Sequence, residues 1–164
     1  MKKIGIIMGS DSDLPIIRKA TDVLKSFDVP FSVHVFSAHR TPDEARDFAR
    51  GARENGYAAL IAAAGMAAHL AGAIAANTTL PVIGIPCSGS KLSGMDALLS
   101  TVMMPTGIPV ATVAVDGGAN AALLALEILA VSDEALAAKL REKRSRDAAA
   151  VLEKDAGIMA RLEE

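Results

Sequence analysis

The chain predicts an α/β fold: a three-layer αβα sandwich whose doubly wound, parallel five-stranded sheet is covered by helices on both faces. Three observations carry this. Five short, continuously apolar runs alternate with longer segments of helical periodicity. The runs lack the in-and-out polarity of a strand with one wet face, and such strands belong to parallel sheets buried on both sides. The size fits as well: 164 residues, 51% hydrophobic and 22% charged with a net charge of −2, make a single domain over residues 1–164 with a sizeable core.

Residues 4–8 are the first strand, and Leu14, Ile17, Ala20, Val23, Leu24 and Phe27 form the inner stripe of the helix after it. Residues 31–37 are the second strand. Thr41-Pro42-Asp43-Glu44 then starts a helix, with Thr41 as cap, Pro42 at the first helical position and Glu44 completing a capping box; Ala45, Phe48, Ala49 and Ala52 face inward. The third unit joins a strand at 58–64 to an Ala-rich helix over 67–77. The fourth is a strand at 81–85, a longer loop at 86–94 and a helix over 95–103. Residues 109–115 make the fifth strand, which leads through Gly117-Gly118 into a helix over 119–130. There the alternation stops, and Ser132 is placed as the cap of one long helix reaching Leu162. Its apolar residues Leu136, Leu140, Val151, Ile158 and Leu162 are scattered among charges. The chain thus divides into sheet and helices (1–131) and a terminal helix (132–164) free to pack on neighbouring subunits.

Composition narrows the function. A near-neutral balance gives no basic excess for a phosphate backbone, so no nucleic-acid partner is expected. The single cysteine, Cys87, can form neither an internal disulfide nor a thiolate metal site alone, and the apolar run after Met1-Lys2-Lys3 is too short for a secretory signal. A cytoplasmic location follows. The uncharged stretch 57–90 is built from Ala and Gly and interrupted by His69, Asn77, Pro81 and Pro86, so no membrane span is expected. Between residues 57 and 115 only Lys91 and Asp96 carry formal charge. A small monomer cannot hide so long an uncharged segment, and part of it is expected to pack against other copies in a homo-oligomer.

In doubly wound sheets ligands sit beyond the carboxyl ends of the strands, where strand order reverses. With the flavodoxin-like order 2-1-3-4-5, three chemically loaded loops converge there: Gly9-Ser10-Asp11-Ser12-Asp13, Ser37-Ala38-His39-Arg40 and Gly65-Met66-Ala67-Ala68-His69. Ser and Asp after a strand are ordinary turn and cap residues, but two aspartates exceed what one cap needs. Ser10 and the amides of a helix start suit phosphate, a carboxylate such as that of Asp13 suits sugar hydroxyls, and Arg40 supplies the cation that lets acid and phosphate coexist. A sugar phosphate satisfies both. His39 lies in a loop where an imidazole has no packing role, and histidine side chains, which ordinarily titrate near ~6.5, suit proton transfer. His69 reads equally as a site residue or as a buried, hydrogen-bonded histidine, and His34, mid-strand, reads as structural.

The histidine spacings match no metal-ligand motif, so no metal site is expected. Cys87 lacks a sequence-near His or Asn and is read as a small loop residue rather than a nucleophile. A flavin is disfavoured because none of the four Phe or the one Tyr falls in the ligand loops. A phosphoryl receiver is disfavoured too, since the third and fifth strands end in Ala64-Gly65 and Val115-Asp116 rather than in the required Asp and Lys.

Five segments in order resemble the N5-carboxyaminoimidazole ribonucleotide mutase family of purine biosynthesis. They are Gly9-Ser10-Asp11-Ser12-Asp13, Ser37-Ala38-His39-Arg40-Thr41-Pro42, Ala67-Ala68-His69-Leu70, Leu80-Pro81-Val82-Ile83-Gly84 and Met104-Pro105 with Gly107-Ile108-Pro109-Val110-Ala111-Thr112-Val113-Ala114. The resemblance spans residues 4–129. It implies a cofactor-free isomerase, acting as a homo-octamer, that moves a carboxylate from the exocyclic nitrogen of a small-molecule ribonucleotide to ring carbon C4. It further implies that Ser10, Asp13 and Arg40 bind substrate and that His39 is the general acid and base. Ser12, Ser37, Ala38, Gly65, Ala67, His69 and Leu70 are placed as further substrate-binding positions. The chain departs from the family pattern at Met66 (commonly Gly), Ala71 (commonly Pro) and Met103 (commonly Gln). Direct carboxylation of aminoimidazole ribonucleotide with carbon dioxide is the alternative reaction, although relatives of that type typically carry Lys at the position of Arg40. A nucleotide-binding regulatory module of the same fold is the non-enzyme alternative.

Overall fold

The structure, a computed structural model, describes residues 2–162. Its contacts cluster into two compact units divided between Ile128 and Leu129. In the first, strands β1 (Lys3–Met8), β2 (Phe31–Val35), β3 (Tyr57–Gly65), β4 (Val82–Cys87) and β5 (Ala111–Thr112) form one wholly parallel sheet in the order β2-β1-β3-β4-β5. The continuous apolar runs explain the layering: every residue of β4 and five of the six in β1 are buried. β1 runs so close to β3 that a Cβ on Gly5 would stand 2.7 Å from Leu60 Cδ2.

Helices α1 (Leu14–Ser26), α2 (Pro42–Gly51), α3 (Leu70–Ala75), α4 (Met95–Val102) and α5 (Gly118–Ala130) cover the sheet. On one face α2 and α3 bury Ala45, Ala49, Ala71 and Ile74 against Leu60, Ala62 and Val82. On the other, α5 starts at a glycine because a Cβ at Gly118 would collide with the Ile16 carbonyl of α1. Buried hydroxyls are satisfied locally: Thr101 Oγ1 donates to the Ala97 carbonyl at 2.7 Å.

Several elements differ from the sequence reading, each for a physical reason. Leu14, placed in the inner stripe of α1, is exposed, while Thr21 is buried with its hydroxyl donating to the Arg18 carbonyl. Thr41 makes no cap hydrogen bond with its side chain; its hydroxyl instead accepts from Ser37 N–H at 2.8 Å. The helix expected over 67–77 begins only at Leu70, because Met66 takes a left-handed φ of 51° and His69 N–H closes a tight turn onto the Ala67 carbonyl. Pro86 and Cys87 belong to β4 rather than to the loop. The fifth strand shrinks to two residues behind Pro109, which has no N–H to pair, although Val113 and Asp116 still donate to the Gly84 and Pro86 carbonyls.

In the second unit Asp133, not Ser132, caps α6 (Glu134–Ala156): its carboxylate accepts from Leu136 N–H at 3.0 Å. The single terminal helix is interrupted at Gly157, after which α7 (Ile158–Leu162) resumes.

Candidate active site

Register brings the loops together. Met8 pairs with Ala63 and Gly65 with Cys87, so β1, β3 and β4 end side by side and the segments that follow rim one cavity of about 410 Å³. All eleven residues placed as site residues from sequence line it: Ser10, Ser12 and Asp13 after β1, Ser37, Ala38, His39 and Arg40 after β2, Gly65 at the end of β3, and Ala67, His69 and Leu70 after it. Gly89, beyond β4, also lines it and was not foreseen.

Each loop is shaped by its own polar atoms. After β1, residues Asp11–Asp13 form a 3₁₀ turn capped by Ser10, whose hydroxyl accepts from Ser12 N–H at 3.3 Å and from Ser12 Oγ at 2.9 Å. Asp13 occupies the cap position of α1 yet makes no cap hydrogen bond with its side chain. Its carboxylate is therefore not committed to the helix. Burial raises its pKa from the ordinary 3.8, and the charges of Asp116 and Asp11 add to that; the Ser10 backbone and the Cys87 thiol act against it. After β2, Ser37 Oγ accepts from the backbone N–H groups of His39 and Arg40, at 3.4 and 3.2 Å, while Thr41 ties the far side of the loop to Ser37. That local knot is why His39 and Arg40 point outward from a short, ordered loop.

Contacts between loops complete the geometry. Arg40 reaches across to donate from Nη2 to the Gly9 carbonyl at 3.2 Å, which leaves further guanidinium donors for an anion. His39 Nε2 and His69 Nδ1 are 2.7 Å apart, with ring planes at 79°. Across that contact one ring nitrogen donates and the other accepts. His69 is exposed rather than buried, and its hydrogen-bond partner is His39. His34 lies apart, hydrogen-bonded to Ser32 Oγ at 3.0 Å and stacked on Phe36.

Sequence reasoning passed over two residues. Cys87 is 1% exposed beneath the cavity rather than in a loop, and burial pushes its thiol up to about 12. Asp116, beyond β5, holds Ser88 through both carboxylate oxygens. The Val115-Asp116 ending had served only to exclude a receiver; its left-handed φ of 57° becomes visible only in the fold.

With this geometry in hand, comparison with known proteins is specific. The AIR carboxylase family model matches residues 3–150. A Pyrococcus abyssi protein named N5-carboxyaminoimidazole ribonucleotide mutase is 54% identical over 144 residues, 88% of this chain and 83% of its own. A Bacillus subtilis protein of the same name is 52% identical over 152 residues, 92% of this chain and 94% of its own. Among solved structures, Treponema denticola PurE aligns with a TM-score of 0.83 at 27% identity, covering 93% of this chain and 96% of that one. A family match across most of the sequence, relatives more than half identical over 83% and 94% of their own length and a shared flavodoxin-like fold lead to one conclusion: this chain belongs to the AIR carboxylase family.

Proposed function

We propose that this protein converts N5-carboxyaminoimidazole ribonucleotide into 4-carboxy-5-aminoimidazole ribonucleotide, the mutase reaction of de novo purine biosynthesis. The observation that carries the reading is the His39–His69 contact at 2.7 Å in the cavity that also holds the Arg40–Gly9 contact: a proton carrier beside a fixed cation. Names of relatives about half identical to the chain support the same reaction.

The assignment of roles follows from charge and reach. Arg40 and the Ser10 hydroxyl take the 5′-phosphate, and Asp13 accepts from the ribose hydroxyls. Ser12, Ser37 and Ala38 line the ribonucleotide's path. His39, as imidazolium, protonates the carboxylated exocyclic nitrogen; the N–C bond breaks, its electron pair stays on nitrogen and carbon dioxide is released. C4 of the ring then attacks the carbon dioxide, and His39, now neutral, removes the C4 proton to restore the aromatic ring. The proton given first is recovered last, so the isomerisation balances without a cofactor. Carbon dioxide must not diffuse away between the steps, and the small side chains of Gly65 and Ala67, with Leu70 and His69, wall the space in which it waits. His69 orients His39.

We also place the enzyme in the cytoplasm as a homo-octamer. Among the described residues no helix is long and apolar enough to cross a membrane. Met95, Leu99 and Val102 form an exposed apolar stripe at helical spacing on α4, continued by Met103 just past its end, and Val151, Leu152, Ile158, Met159 and Leu162 are exposed on the terminal helices. A second copy of this chain is the occupant assigned to both surfaces. Light scattering is expected to give the mass of eight chains, and Leu99→Asp to lower it.

The deciding assay incubates the protein with N5-carboxyaminoimidazole ribonucleotide and a chelator, without ATP, and follows the C4-carboxylated product by NMR. Conversion far above the solution background is expected. Carboxylation of aminoimidazole ribonucleotide under high carbon dioxide in its place would overturn the reading in favour of the direct carboxylase, and silence in both assays in favour of a binding module.

A further inference from the structure

Gly89 is what the loop after β4 contributes to the cavity, and it contributes backbone alone. A wall without a side chain keeps its place only if the chain on either side is fixed, and here both neighbours are. Ser88 N–H donates to Asp116 Oδ1 at 2.9 Å and Ser88 Oγ donates to Oδ2 at 2.6 Å. Ser90 Oγ donates to Asp96 Oδ1, in the first turn of α4, at 2.7 Å, and Ser90 N–H donates to the Ser88 carbonyl at 2.8 Å. Asp116 is the stronger tie, with two bonds to one ionised acceptor. Its own N–H donates to the Pro86 carbonyl at 2.9 Å, so it grips the end of β4 at Pro86 and at Ser88, where the two-residue β5 adds little ladder. It does so at a left-handed φ of 57°, a conformation that glycine takes without strain, as Gly94 does in the same loop at 87°. A carboxylate stands where glycine would be the easier residue, and the two bonds to Ser88 are what it adds.

We propose that Asp116 is a positioning residue for the substrate cavity: through Ser88 it fixes Gly89 as the wall at the end remote from Arg40, against which the aminoimidazole ring lies. The proposal rests on the reading of the cavity as a ribonucleotide site with the phosphate at Arg40. The Arg40 guanidinium is bonded to the Gly9 carbonyl beyond β1, and in the order β2-β1-β3-β4 the line of β4 is two interstrand spacings further on, roughly 10 Å. A ligand whose phosphate meets Arg40 therefore brings its other end towards Gly89. Gly65, which pairs with Cys87 across the β3–β4 ladder, belongs to the same end of the cavity.

The test separates local positioning from folding. Asp116→Gly removes the carboxylate and relieves the left-handed φ, so the variant is expected to fold. Binding of aminoimidazole ribonucleotide, and of ribose 5-phosphate, which lacks the ring, is measured by NMR titration beside KM and kcat. In Asp116→Gly the nucleotide Kd and KM rise about fivefold, kcat stays within about twofold, and ribose 5-phosphate binds as it does to the wild type. Asp116→Asn, whose amide oxygen still accepts from Ser88 N–H, restores most of the affinity. Ser88→Ala weakens nucleotide binding less, and adding it to Asp116→Gly causes no further loss, because both remove the same contact. Wild-type nucleotide affinity in folded Asp116→Gly overturns the positioning role alone. An equal loss for both ligands also overturns it, by making Asp116 a support of the whole site. A wild-type protein that binds no aminoimidazole ribonucleotide overturns the functional reading and the proposal with it. Should Asp116→Gly fail to fold, Ser88→Ala decides: a loss confined to the ring-bearing ligand supports the proposal, and unchanged binding overturns it.

Discussion

The two ends of the parallel sheet each carry an opening, and the larger one is chemically the poorer. At the amino ends of β4 and β5 a cleft of about 970 Å³ is bordered by the carboxyl ends of α2 and α3, whereas the cavity at the carboxyl ends measures about 410 Å³. The charged residues of the large cleft are Arg50, Arg53 and Glu54. Both arginines are held by neutral oxygens, Arg50 by Asn77 Oδ1 at 3.2 Å and Arg53 by Thr79 Oγ1 at 3.0 Å, so they tie neighbouring surface segments together. The small cavity instead gathers two histidines, an arginine and a carboxylate from three separate loops. Parallel topology produces the asymmetry. Every loop at the carboxyl end precedes a helix and presents N–H groups and short polar side chains, while the other end collects helix carboxyl termini. Convergence of reactive groups, not volume, marks the site.

The sharpest way to break this comparison is to remove the proton carrier. His39→Asn is expected to lower kcat by about 10²–10⁴ while nucleotide binding, read by calorimetry, persists. The double substitution Arg50→Gln with Arg53→Gln, at the other end, is expected to leave kcat and KM at wild-type values; a comparable loss there would mean that the wrong opening has been assigned. A smaller effect is expected from Arg40→Lys, which keeps the charge but loses the planar fork and its hold on the Gly9 carbonyl. KM should rise about tenfold with kcat little changed.

The same contrast explains what was legible in the sequence. The sheet order was, and so was the convergence of the three loops on one cavity, because continuous apolar runs fix a parallel sheet and parallel topology fixes which loops meet. Two of the errors fell where local partners compete for one polar group. Thr41 has the spacing of a cap, but its hydroxyl lies within reach of Ser37, and closing the His39 loop took precedence. Ser132 and Asp133 both suit a cap, and the carboxylate, the stronger acceptor, took the Leu136 N–H. The hold of Asp116 on Ser88 was invisible because the two lie 28 residues apart and meet only once β4 and β5 are in place.

The finest test of the difference between the two ends is thermodynamic. Burial raises the pKa of Asp13 in the folded chain above its ordinary 3.8. Below that value both folded and unfolded chains hold the proton, and Asp13 imposes no electrostatic cost. As pH rises the unfolded chain ionises first, so the carboxylate disfavours folding, and the cost levels off once pH passes the folded value. Asp13→Asn is therefore expected to raise Tm modestly at pH 7, with the gain shrinking as pH falls towards 3.8. The opposite result, a lower Tm at pH 7, would make the carboxylate a structural cap of α1, a role for which it makes no hydrogen bond here. A stabilised but poorly binding Asp13→Asn protein would show that the fold tolerates this partly buried acid for the sake of the ligand.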